Sequence, residues 1–262
     1  MKKILISTGG SGGHVVPALN LYNHLKNDFN VSLYTDIRGA KYIPSEIKKT
    51  ILEVKKIPEK IYFFPIKIIF LFFAFIKSLI HFSRNKIDIV ISTGGYMSLP
   101  IVLAAKIFKK KIILFEPNSI IGRSNKFLLR FAHQILCYDR DIIIHGGERS
   151  VVPGYKGVVI DPILNNCFYS NQNKIKTNDD VFKILIMGGS QASLFFSKYL
   201  QSEIILLSKK HKIEITQQLS PNFDIDIYKK EYDKNNIKNS LFFFKNNFLC
   251  KQNNFDIAIT RS

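Results

Sequence analysis

Four times in 262 residues a short apolar run breaks off into glycines or polar turn residues and then into the start of a helical pattern. The segments are "KILISTGGSGGH" (3–14), "IDIVISTGGYMSLP" (87–100), "KIILFEPNSIIGRSNK" (111–126) and "VFKILIMGGSQAS" (181–193). No other feature limits the fold so tightly. Short unbroken runs of Ile, Leu and Val read as strands buried on both faces. A strand that turns at once into a helix, which then returns to a parallel strand, makes right-handed crossovers under a two-sided helical cover. The fold class expected is therefore α/β.

Strands are expected at Lys3–Ser7, 30–36, 86–95 and 111–118, and again near "ILCYDR" and "KGVVIDP". Helices are expected at 17–28, at 98–110, and near "RSNKFLLRFAHQI". A polar run, 171–180, separates this unit, 1–165, from a second one, 171–262. The second unit restarts the theme at 181–193 and continues through "SEIILLSKKHKIEITQQLS" and "NSLFFFKNN" to a strand in 254–262. With so few elements, and no helix after its last strand, it is expected to be incomplete.

Glycines after a parallel strand expose main-chain N–H groups, and the next helix aims its positive end at the same point. Together they suit an anion. The segment Gly9–Gly13 is not a P-loop, since no lysine stands in the required slot. Nor does it fit the dinucleotide fingerprint, whose third glycine would fall on Val15. It delivers His14 instead, at the start of a helix. That position favours a neutral imidazole able to act as a base, while a capping or packing histidine is equally compatible with the pattern. Tyr96, Glu116 and Asn118 stand at two further strand ends, where open parallel sheets bind ligands. Polar loops at strand ends in two units predict a cleft between them.

The formal net charge is +18. It suits an anionic partner, whether nucleic acid, acidic lipid or a phosphorylated substrate, and equally a lysine-solvated surface. Nucleic acid has only the charge in its favour, because no recognition helix or aromatic–basic sheet motif accompanies it. Cys137, Cys167 and Cys250 lie far apart, which argues against metal sites and disulfides and for a reducing compartment. The start, "MKKILIST", reads as a strand and not as a signal peptide. In 61–82, Pro65 and Lys67 precede, and Lys77 follows, the apolar core Ile68–Ile76. A spanning helix needs about 20 apolar residues, so a buried helix, or one lying on a membrane surface, is the better reading.

Taken in order, these strings resemble the MurG family of lipid-linked glycosyltransferases. They are "GGSGGH" (9–14), "GGYMSLP" (94–100), "FEPN" with "GRSNK" (115–126), "GGSQAS" (188–193) and a final "RS" (261–262). The resemblance implies a GT-B fold, two Rossmann-like parallel-sheet domains. It implies inverting transfer of N-acetylglucosamine from UDP-GlcNAc to undecaprenyl-pyrophosphoryl-MurNAc-pentapeptide (lipid I to lipid II), without cofactor or metal. The setting implied is peptidoglycan synthesis, and with it cell shape and division, at the cytoplasmic face of the cell membrane. His14 matches the family's histidine implicated in catalysis or pyrophosphate contact. Ser11, Gly12, Gly13, Asn118, Ser190 and Lys245 match UDP-GlcNAc positions, and Gly10, Tyr96, Glu116 and Asn125 match acceptor or cleft positions. The helix at 68–80 matches the membrane-facing region, giving the charge an anionic bilayer as partner.

Departures from the family pattern are Phe115 for histidine, Pro117 for glutamine, Leu164 for an arginine near the donor phosphate, and Ala192 for glycine. The family chain is also expected to continue for roughly a domain-sized 90 residues. On that expectation the chain alone is inactive or weak, and it is one piece of a split gene with a separately encoded C-terminal piece as partner, a decaying gene product or a truncated reading frame. Alternatives are a non-catalytic module binding polyprenyl diphosphate and another GT-B lipid glycosyltransferase.

Overall fold

The structure, a computed structural model, describes residues 1–52, 64–139, 157–164, 180–243 and 255–260, with no side chain described at 64–67 or 190–192. The chain divides into two compact units, Met1–Asn166 and Cys167–Ser262.

The first unit holds a parallel sheet of β1 (Lys3–Ser7), β2 (Asn30–Thr35), β3 (Lys49–Ile51), β4 (Ile89–Ser92), β5 (Lys111–Glu116), β6 (Gln134–Cys137) and β7 (Gly157–Val159). The spatial order is β3-β2-β1-β4-β5-β6-β7. Its helices are α1 (Gly12–Leu25), α2 (Ile37–Ala40), α3 (Phe64–Arg84), α4 (Ser98–Ile107) and α5 (Arg123–Leu128). Chain order reverses between β1 and β4, which pair from Ile4↔Ile89 to Ser7↔Ser92. Loops leaving two such strands diverge to opposite faces and open a crevice at their carboxyl ends.

Alternation along β1 builds the core on both faces. Ile4 and Ile6 join Val15, Ala18 and Leu21 of α1, with Leu33 and Phe115, in one layer. Leu5 faces the other way, into Ala74 and Phe82 of α3 and Ile101, Val102 and Ala105 of α4. Each fully buried Ile or Leu contributes about 1.5–3 kcal/mol. The side chains of α3 split by face: Ala74, Ser78 and Phe82 are buried, whereas Ile68, Ile69, Phe72, Phe73, Ile76 and Ile80 are exposed. No described helix is long and apolar enough to cross a membrane.

The second unit repeats the plan on a smaller scale. Its elements are β8 (Phe182–Met187), α6 (Gly189–Ser208), β9 (Ile213–Gln218), α7 (Ile225–Lys234), β10 (Lys238–Phe242) and β11 (Ile257–Thr260), with parallel order β10-β9-β8-β11. Its core joins Ile184, Ile186 and Ile215 to Tyr228 and Tyr232 of α7. Both phenols are buried donors, Tyr232 to Gln217 Oε1 at 2.7 Å and Tyr228 to the Ser197 carbonyl. Burial pushes the Tyr228 pKa up to about 12 and that of Tyr232 higher still.

Two sequence expectations need correction. The helix expected at 17–28 begins at Gly12, so the glycine loop is partly its first turn. The helix α7, on which the sequence reading placed no element, is capped by Asp224, whose carboxylate accepts from Asp226 N at 2.8 Å.

Candidate active site

His14 is the third residue of α1, just past the end of β1. Its Nδ1 lies 2.8 Å from the Thr93 carbonyl at the end of β4. A carbonyl only accepts, so Nδ1 bears a proton, and in the neutral imidazole Nε2 is then the acceptor. Thr93 is itself pinned: its N–H donates to Ser7 O at 3.1 Å, continuing the β1–β4 ladder. Thr93 Oγ1 lies 3.0 Å from the His14 carbonyl and 2.9 Å from Thr8 Oγ1. Its single proton must serve the carbonyl, leaving Thr8 to donate to it. Gly94, at φ +92°, passes under the imidazole, where an added Cβ would come within 3.2 Å of His14 Cε1. Gly95 at φ +84° would press a Cβ to 3.0 Å from Gly9 O. Both positions therefore need glycine.

Glu116 ends β5 and is fully buried. Oε1 accepts from Asn118 Nδ2 at 2.7 Å and Asn118 N at 3.3 Å; Oε2 accepts from Gly122 N at 2.9 Å and Asn125 Nδ2 at 3.0 Å. Four donors on one carboxylate make Glu116 the organiser of the loop that presents Asn118 and starts α5. Asn125 cannot be flipped, since its oxygen would then face that carboxylate; its Oδ1 is buried without a protein partner.

One expectation about the first loop is corrected. The Gly10 amide is not bare: it donates to Asp36 Oδ1 at 2.9 Å, beside Gly39 N at 2.7 Å. Asp36, fully buried at the end of β2, also holds Arg38 through Nε at 3.1 Å. The Arg38 guanidinium stacks over the Tyr96 ring at 5.1 Å. Burial raises the Tyr96 pKa, with Arg38 acting against that shift and Asp36 reinforcing it. At the open end of α1, the Ser11 carbonyl accepts from His14 N and Val15 N, and the Gly12 and Gly13 amides have no acceptor among the described residues.

His14, Tyr96, Glu116 and Asn125 border one cavity of about 500 Å³, with Gly94, Gly95, Gly122, Arg123 and Ser124. Its remaining wall is apolar, formed by Leu71, Leu99 and Phe127. Ser11, Gly12 and Gly13 stand on the neighbouring turn of α1, and Asn118 is exposed beside Glu116. Ser190 lies in the first turn of α6, its side chain outside the described residues, as is the whole of Lys245. Among the described residues no three His, Cys, Asp or Glu side chains gather as a metal site. Sequence reasoning missed Asp36, Thr93 and Arg123.

Comparison with known proteins fits this geometry. The model of the glycosyltransferase family 28 N-terminal domain matches residues 4–137. The UDP-N-acetylglucosamine--N-acetylmuramyl-(pentapeptide) pyrophosphoryl-undecaprenol N-acetylglucosamine transferase of Pelagibacter ubique is 40% identical over all of this chain and 72% of its own length. The chain belongs to the MurG family. The Rickettsia felis relative is 32% identical over 100% of this chain and 74% of its own. In structure the chain is similar to Acinetobacter baumannii MurG, with a TM-score of 0.67 at 20% identity, covering 99% of this chain and 73% of that one. A UDP complex of Arabidopsis thaliana UGT89C1 scores 0.65 at 14% identity, again a likeness of fold alone. The fold is thus the two-domain GT-B architecture with a smaller second unit.

Within the MurG pattern, the substitution at Phe115 has a simple reading. Its ring is fully buried among Ile4, Ile6 and Val15 and meets Tyr138 edge-on at 5.5 Å. A histidine there would face the core and not the cavity. Leu164 is exposed, its carbonyl 2.8 Å from His24 Nε2.

Proposed function

We propose that the chain transfers N-acetylglucosamine from UDP-GlcNAc to the C4 hydroxyl of undecaprenyl-pyrophosphoryl-MurNAc-pentapeptide, with inversion, in peptidoglycan synthesis and so in cell shape and division. The observation that carries the chemistry is the tautomer of His14. Nδ1–H is spent on a main-chain carbonyl, and Nε2 is left as an acceptor at the crevice between β1 and β4. His14 takes the proton of the acceptor hydroxyl as its oxygen attacks the anomeric carbon. The bond from that carbon to the UDP phosphate oxygen breaks on the opposite face, and UDP leaves as the anion. The Gly12 and Gly13 amides, with the α1 dipole behind them, favour diphosphate charge, Ser11 and Asn118 stand nearby as donor contacts, and Ser190 and Lys245 are assigned donor contacts by their match to the MurG pattern alone. Tyr96 and Asn125 hold the acceptor sugar, with Glu116 fixing Asn125. The exposed apolar face of α3, in a chain of net charge +18, rests on the anionic cytoplasmic face of the cell membrane.

The test is transfer of labelled N-acetylglucosamine onto a lipid I analogue. His14→Gln is expected to lower kcat by about a hundred- to ten-thousandfold with the fold intact. An unchanged rate would remove His14 from the mechanism.

A further inference from the structure

The two glutamines that end β9 serve different partners. Gln217 is fully buried, and its Oε1 accepts from the Tyr232 hydroxyl of α7. Gln218 follows at the carboxyl edge of the sheet, 6% exposed, where pairing with β8 has stopped at Ile186↔Gln217 and pairing with β10 ends at Phe242↔Gln218. Its Oε1 accepts from Gly189 N at 3.0 Å, and its Nε2 donates to Phe243 O at 2.9 Å. An N–H on one side and a carbonyl on the other leave the carboxamide a single orientation. One neutral side chain thus ties the turn after β8 to the end of β9 and the residue after β10.

Gly189 is the first residue of α6 and stands at φ +62°. A Cβ added to it would meet nothing within 4 Å, so the glycine answers to the sign of φ, and the space beside it is open. The first N–H groups of a helix lack acceptors within the helix. Gln218 takes that of Gly189, and so fixes the turn from which Ser190 and the next amides of α6 set out. A carboxylate could accept the same bond, but it would put negative charge where the α6 dipole favours an anion. A carboxamide accepts without that charge.

We infer that Gln218 is a positioning residue for the donor diphosphate. It holds the Gly188–Gly189 turn in its left-handed form and keeps the N-terminus of α6 free of charge, so that the first turn of α6 meets the phosphates of UDP-GlcNAc. This rests on the transferase reading and deepens it, because Gln218 lies outside the strings that carry the MurG resemblance.

The experiment is titration of the full chain with UDP and with uridine, followed by ligand-observed NMR, on the unsubstituted chain and on Gln218→Met, Gln218→Glu and Tyr232→Phe. Gln218→Met removes both bonds at similar length and is expected to weaken UDP binding about tenfold while sparing uridine. Gln218→Glu keeps the acceptor for Gly189 but adds charge, and should weaken UDP further, again sparing uridine. Tyr232→Phe strips Gln217 of its partner; it should lower Tm and leave both affinities alone, which shows what a purely structural loss does. Circular dichroism verifies that each variant keeps the fold. Equal losses for UDP and uridine in the Gln218 variants, or a UDP affinity that neither variant changes, overturns this inference alone. An unsubstituted chain that binds UDP no tighter than uridine overturns the donor side of the transferase reading, and this inference with it.

Discussion

At the scale of single residues, the site is set by which proton sits where. Thr93 is a positioning residue, acting on His14 in two ways. Its carbonyl chooses the tautomer, and its hydroxyl steadies the His14 backbone. Thr93→Val keeps the first and deletes the second, removing the hydroxyl's bond to the His14 carbonyl and the acceptor of the Thr8 hydroxyl. We expect a loss of about 1–3 kcal/mol in stability and about a tenfold fall in kcat, with the midpoint of the pH–rate profile unmoved. A shifted midpoint would mean that the hydroxyl, not the carbonyl, tunes the base. That His14, Tyr96 and Glu116 fall near one another was foreshadowed by their places just past buried strands, whereas Asn125, inside α5, was carried only by the resemblance to the MurG family. Thr93 and Asp36 were not legible. Their roles are hydrogen bonds to residues 79 and 26 positions away, and such pairings exist only once the sheet order is known.

At the scale of elements, α3 has to serve two solvents. Its inward face docks through Ser78 and Phe82, and through His81, whose Nδ1 accepts from the Tyr34 hydroxyl of β2. Burial lowers the His81 pKa, so the native state resists a proton that the unfolded chain takes up below about pH 6.5. The unfolded state then binds more protons, and stability must fall as the pH drops through that region. His81→Gln keeps an acceptor for Tyr34 and removes the titration. Its Tm should therefore decline less than that of the unsubstituted chain between about pH 7.5 and 5. The outward face predicts a different result. Phe72→Glu with Phe73→Glu should cut binding to phosphatidylglycerol–phosphatidylethanolamine vesicles at least tenfold, by sedimentation, without lowering Tm. Most strands were readable from their unbroken apolar runs, but β3 was not, because Lys49–Ile51 holds a single apolar residue. The helix α7 was not, because its two buried tyrosines are diluted among charges and only the Asp224 cap marks its start. The early start of α1 was hidden by Gly12 and Gly13, because glycines are poor helix formers.

At the scale of the whole molecule, the cores form two separate sets. Those built on Leu5 and Ile6 belong to the first unit, and those built on Ile186 and Leu185 to the second. A chain of residues 1–166 has its own seven-stranded sheet with both faces covered, large enough to be stable alone. It should melt in one cooperative transition by circular dichroism; a broad, non-cooperative melt would show that the second unit is required for folding. The alignment of His14 by a peptide carbonyl reaches further than its geometry. Every amino acid brings the same C=O to position 93, so a substitution there keeps the acceptor that orients the imidazole. Inactivating lesions should instead gather where main chain must pass close, at Gly94 and Gly95, and a random-mutagenesis screen would find the enzyme's weak points in its smallest residues.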